Sequence, residues 1–164
     1  LLSSCMAGQG GRLFLELRDK QSLAYTVAPI NSDGPVPGVF AFYIGCSPEK
    51  LVRSIKGIRG EIEKVIEKPI RVSELRRAKE YWIGRFELEM QRYGSQASLY
   101  GLDEFYDLGY DHCRKVPKII KSITTEDIQK AAKKYFLLDR PIISVVHNEP
   151  ITEDEVREHW KTQS

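Results

Sequence analysis

Residues 8–27, GQGGRLFLELRDKQSLAYTV, constrain this chain more than any other stretch, because three backbone states must follow one another there. Gly8, Gly10 and Gly11 supply a bend with backbone freedom. Leu13, Phe14 and Leu17 then recur at helical spacing, with Arg12, Glu16, Asp19 and Lys20 on the other side. Leu23-Ala24-Tyr25-Thr26-Val27 breaks that period, and its last three residues favour a strand. The pattern predicts a helix that stops sharply and runs straight into an extended segment. Two polar side chains bracket the junction: Arg18 near the end of the helix and Tyr25 just inside the strand. They are the leading candidates for function.

The remainder reads as strands first and helices after. Residues 23–31 and 36–46 are expected to pair antiparallel, with a reverse turn at Ser32-Asp33-Gly34-Pro35 between them. Residues 38–44, apolar on both faces, suit a central strand. Ser47-Pro48-Glu49 is a helix start with a hydroxyl cap, a proline and an acid in the first turn. That helix is expected to reach residue 67, where Lys68-Pro69 stops it. Further helices are predicted after Ser73, over residues 96–108, and over 113–123 with an interruption at Pro117. Another should start at Thr124, capped with Asp127. Residues 140–147 form a last strand and 151–162 a charged terminal helix. The order β-β-α-α-α-α-α-β predicts an α+β fold, a mixed or antiparallel sheet with a layer of helices on one face.

A chain of 164 residues is expected to form a single domain, 1–164, burying roughly 70% of its unfolded surface. A net charge of +2 is too mild to imply nucleic acid. The basic residues Arg76, Arg77, Lys79 and Arg85 share their segment with Glu74, Glu80, Glu87 and Glu89, as on a solvated face. Cys5, Cys46 and Cys113 are an odd count without a CxxC pair, which suggests neither a disulfide framework nor a zinc knuckle. No apolar run approaches ~20 residues, so no membrane-spanning helix is expected. The opening Leu1-Leu2-Ser3-Ser4-Cys5-Met6-Ala7 reads as the tail of a helix, which suggests a fragment of something longer.

Gly8-x-Gly10-Gly11-Arg12-Leu13-Phe14, Glu16-Leu17-Arg18-x-Lys20 and Leu23-Ala24-Tyr25-x-Val27 together resemble the C-terminal half of an insulinase/pitrilysin-family zinc peptidase. Gly45-x-Ser47-Pro48-Glu49-Lys50-Leu51 is similar to that family's strand-to-helix joint. Glu74-Leu75-x-x-Ala78-Lys79 and Thr124-x-Glu126-Asp127-Ile128 resemble two later helices. The resemblance implies a truncated C-terminal insulinase-like domain, of the processing-peptidase type, whose first strands would precede Leu1. An incomplete sheet with an exposed edge is then expected, and a homodimer could cover it.

The family's zinc sits on an inverted His-x-x-Glu-His motif. None of His112, His147 and His159 opens one, and the nearest approach, Glu155-Val-Arg-Glu158-His159, lies in a charge run at the terminus. No metal site is expected in this chain; zinc would belong to the partner, a zinc-binding N-terminal half or subunit. The resemblance implies that Arg18 and Tyr25 reach across the shared cleft to the peptide substrate. A guanidinium and a phenol there could both donate to the oxyanion formed when water attacks a peptide carbonyl. The structural alternative is an Arg18 that caps helix carbonyls and a Tyr25 packed in the sheet. The position before Leu23, usually glycine in the family, is Ser22 here.

Gly8, Gly10 and Gly11 have two readings. An anion-binding loop lacks support, since no Lys-Ser/Thr follows and dinucleotide spacing is absent. A structural bend is the plainer reading; the resemblance adds a substrate-handling one, as proposed for the glycine-rich segment of the non-catalytic subunit of mitochondrial processing peptidase. The leading function is therefore the non-zinc-binding half of a zinc peptidase. The alternative is a scaffold or assembly subunit of the same fold without catalysis. Free cysteines lean towards a reducing interior; a bacterial cytoplasm or periplasm is expected over secretion, and substrate identity is not readable.

Overall fold

The computed structural model describes residues 1–32 and 38–161. A short helix α1 (Leu2–Met6) leads through the glycine bend into a π-helix (Phe14–Lys20), followed by β1 (Thr26–Ser32) and β2 (Val39–Gly45). A 3-10 turn (Pro48–Lys50) opens α2 (Leu51–Glu67). Then come α3 (Val72–Glu89), α4 (Tyr93–Phe105), α5 (His112–Ser122), α6 (Thr125–Tyr135) and α7 (Glu153–Trp160). The architecture is α+β, rich in helix, with a small antiparallel sheet.

The strands pair as expected, from Thr26 opposite Gly45 to Ser32 opposite Val39. The turn foreseen at Asp33, Gly34 and Pro35 lies outside the described residues. β2 is not a central strand: among the described residues the sheet has two strands, and Val39 and Tyr43 are exposed. Residues 140–147 correct the expectation of a third strand. Their exposure alternates, but a strand needs a neighbour to take its backbone groups, and none among the described residues does. Ile142 and Val146 are fully exposed in consequence.

The core gathers around residues 13–27. Leu17 of the π-helix and Leu13 just before it, with Leu23 and Val27 beyond, pack with Ile58, Ile62 and Val65 of α2. Leu2 and Met6 of α1, Leu75 and Ala78 of α3, and Ile128 and Ala132 of α6 complete the cluster. Burial of side chains this size contributes ~1.5–3 kcal/mol each. β2 joins through Phe40 and Phe42, whose rings lie 5.1 and 5.5 Å from that of Phe136 just after α6.

Two helix starts differ from the sequence reading. Ser47 makes no capping bond; its hydroxyl donates to the Glu49 carboxylate at 2.5 Å instead. The helix expected after Ser73 begins at Val72, with Glu74 accepting from the Arg71 N–H at 2.9 Å. Thr124 and Asp127 do form their reciprocal capping box. Pro117 sits inside α5 without ending it. No helix among the described residues is long and apolar enough to cross a membrane.

Candidate functional site

The helix carrying Arg18 is a π-helix, a form that occurs mostly as single turns and frequently at functional sites. Its end shows why the chain turns so sharply. The Ser22 N–H donates to the Arg18 carbonyl at 3.0 Å and the Leu23 N–H to the Leu17 carbonyl at 2.8 Å. In the usual α-helical ending both bonds span one residue fewer; the wider π repeat lengthens each by one. Ser22, at the hinge, has φ 51, in the left-handed region that glycine fills without strain. The position where the resembled family usually has glycine is thus one whose backbone asks for it.

This corner brings Arg18 and Tyr25 together. The Arg18 guanidinium carbon lies 4.7 Å from the Phe14 ring centroid and 5.7 Å from that of Tyr25. Both side chains are at the surface, Tyr25 at 84% exposure. The structural alternative is not found: Tyr25 is not packed in the sheet, and among the described residues the Arg18 side chain meets the rings of Phe14 and Tyr25 and caps no helix carbonyl. The Tyr25 N–H donates to the Gly45 carbonyl at 3.0 Å, tying the corner to β2. A depression of about 590 Å³ opens there, with Arg18, Tyr25, Tyr43, Cys46, Ser47 and Lys50 in its wall. Tyr43 and Lys50 escaped the sequence reading. Lys50 stood in a motif that reads as a helix start, and only the fold folds its ammonium back onto the Ser22 carbonyl, at 2.9 Å.

Gly8, Gly10 and Gly11 are not in that wall. Gly11 is required by packing, since a Cβ there would stand 1.9 Å from the Ala7 carbonyl oxygen. Gly10 lies under the Arg77 side chain, and Gly8 has φ +72 with nothing within 4 Å of a Cβ. Just beyond, Arg12 departs from the expected solvent face. It turns beneath the helix to meet both oxygens of Glu74 at 3.1 Å and the buried Glu61 at 3.8 Å.

Among the described residues no three His, Cys, Asp or Glu side chains converge to hold a metal. The terminal Glu155 is occupied in capping, accepting from the Thr152 N–H at 2.8 Å, which holds its carboxyl below the usual range. Glu158 takes the Lys161 ammonium at 2.6 Å. His147 binds the backbone of Glu149 through Nδ1 at 3.0 Å.

The chain belongs to the family described as "Peptidase M16 inactive domain", whose model matches residues 1–81. It is 30% identical to an uncharacterised zinc protease of Streptomyces coelicolor, over 85% of this chain and 30% of that protein. An uncharacterised zinc protease of Rickettsia felis is also 30% identical, over 79% of this chain and 31% of that protein. The chain therefore spans about a third of the length of these relatives. Among solved structures, a peptidase M16 inactive domain from Pseudomonas fluorescens superposes with a TM-score of 0.69 at 21% identity, covering 81% of this chain and 32% of that one. That likeness carries the fold to residues beyond 81.

Proposed function

We propose that this chain is the non-metal half of a zinc-dependent peptidase, which helps enclose a peptide and lends Arg18 and Tyr25 to chemistry at a zinc held by the other half. The stacked, exposed pair at the π-helix corner carries this reading. Arg18 uses the faces of Phe14 and Tyr25 for support, leaving its in-plane N–H groups without a protein acceptor among the described residues. Such preorganised donors stabilise charge that develops on a carbonyl oxygen during water attack. At Gly8, where the Cα is open on one side, a peptide backbone could approach closely, which supports a lesser substrate-handling role for Gly8, while Gly10 and Gly11 are covered by Arg77 and the Ala7 carbonyl. The zinc-binding half and the peptide are the partners in this reading, and a second copy along the open sheet edge is the other association to look for.

The test is peptide cleavage by the assembled peptidase with its zinc-bearing half. Arg18→Ala and Tyr25→Phe should each lower kcat/KM by roughly 10²–10³, the usual loss of one oxyanion donor. Unchanged kcat/KM for both variants removes the assigned roles and leaves the scaffold alternative.

A further inference from the structure

The depression at the corner extends past Arg18 and Tyr25 along β2 to the start of α2. Its functional lining is unbalanced: two cations, Arg18 and Lys50, two phenols, Tyr25 and Tyr43, and no acidic side chain. The Lys50 ammonium uses one N–H on the Ser22 carbonyl at 2.9 Å and keeps two. Neither phenol hydroxyl has a partner among the described residues. The Tyr43 hydroxyl lies back towards the corner, 3.4 Å from where a Cβ on Gly45 would stand. The acids nearby in sequence are engaged or outside the lining: Glu16 holds Lys20 at 2.7 Å, Glu49 accepts from Ser47, and Asp19 is exposed to solvent.

Resting on the reading of this corner as a substrate-facing wall, we propose that the depression is a carboxylate subsite, with Lys50 and Tyr43 selecting peptides that place a free C-terminus or an acidic side chain there. A carboxylate has acceptor sites for several donors at once, and bonds between charged partners are about twice as strong as neutral ones. A peptide amide offers the same donors one neutral oxygen. Two cations sharing one recess repel each other, so an anion between them is favoured twice over. The recess thus discriminates by charge, beside a pair that acts on any peptide carbonyl.

The experiment titrates this chain with one fluorescent peptide made in three forms: neutral and amidated, neutral with a free C-terminus, and amidated with one internal Glu. Anisotropy reads affinity, and the alkylation rate of Cys46, in the wall, reads occupancy; Cys5 and Cys113 are buried. One or both carboxylate forms should bind roughly tenfold tighter than the neutral amide and slow Cys46 alkylation. Which form does so distinguishes the C-terminus from the side chain. Lys50→Met should bring the affinity ratio close to one, Lys50→Arg should retain it, and Tyr43→Phe should reduce it. Equal affinity for all three forms, no measurable binding of either carboxylate form, or a preference that survives Lys50→Met overturns the proposal. Failure here is separable from failure of the wider reading, because Arg18→Ala in the assembled peptidase slows cleavage of neutral peptides too.

Discussion

The ammonium of Lys50 holds the main-chain carbonyl of Ser22 at 2.9 Å, joining the start of α2 to the hinge that separates Arg18 from Tyr25. The hinge residue sits at φ 51, where a Cβ costs about 1–2 kcal/mol. Ser22→Gly removes that strain but loosens the unfolded chain, so a net gain of about 0.5–1 kcal/mol is expected in urea denaturation. Ser22→Val should lose more than 1 kcal/mol, since a branched Cβ is worse still in this region. A Val variant as stable as the parent would mean that the left-handed turn is not what the hinge requires.

One arginine joins the two carboxylates beneath the π-helix. Arg12 meets Glu74 at 3.1 Å and Glu61 at 3.8 Å, while Lys64 supports Glu61 from the surface at 2.5 Å. Glu61 is only 2% exposed, so removing its arginine leaves a carboxylate poorly compensated away from water. Arg12→Met should destabilise by about 3 kcal/mol, the usual result of halving a buried pair. Adding Glu61→Gln should restore part of the loss, with a coupling of roughly 1 kcal/mol or more in the double-mutant cycle. Additive losses would show that the two side chains do not act together.

The hairpin and α2 were legible because their signals are local. The β-favouring run Tyr25-Thr26-Val27, the apolar run of residues 38–44 and the Lys68-Pro69 stop each act within a few positions. The π character of residues 14–20 was not legible, since Leu13, Phe14 and Leu17 fall on one face of an α or a π turn alike. Residues 140–147 show the opposite case. Their β-branched residues Ile142, Ile143, Val145 and Val146 were readable, but a ladder depends on a neighbour that local composition cannot supply. In the candidate site, Arg18 and Tyr25 could be singled out because they flank one junction. Lys50 could not, as its contact with Ser22 is made at a separation of 28 positions in the chain.

The glycine bend yields an ordered prediction. A Cβ at Gly11 collides with the Ala7 carbonyl at 1.9 Å and with the Met6 carbonyl at 2.6 Å, both of them backbone and unable to swing aside. At Gly10 it meets the flexible Arg77 side chain at 3.1 Å, and at Gly8 it meets nothing but carries a positive φ. Gly11→Ala should therefore cost about 3 kcal/mol or more, Gly8→Ala about 1 kcal/mol and Gly10→Ala less. Thermal melts of the three variants check the order. A Gly11→Ala protein that melts with the parent would displace the packing account of that position.

Cys5 connects the buried core to alkaline stability. Burial pushes its thiol up from 9.0 to about 11, because the thiolate loses its water in the apolar cluster around α1. The folded value lies above the unfolded one, so the fold favours the neutral thiol. That contribution is complete below pH 9 and disappears as pH rises to about 11, when the unfolded chain alone gains from ionising. Across this window the parent should lose roughly 3 kcal/mol relative to Cys5→Ala, which has no thiol to titrate. The difference between the two proteins, and not either curve alone, is the measurement. Denaturation midpoints of parent and variant that stay parallel from pH 8 to pH 10.5 would place the Cys5 thiolate in contact with water, outside the core that α1 and α3 build around it.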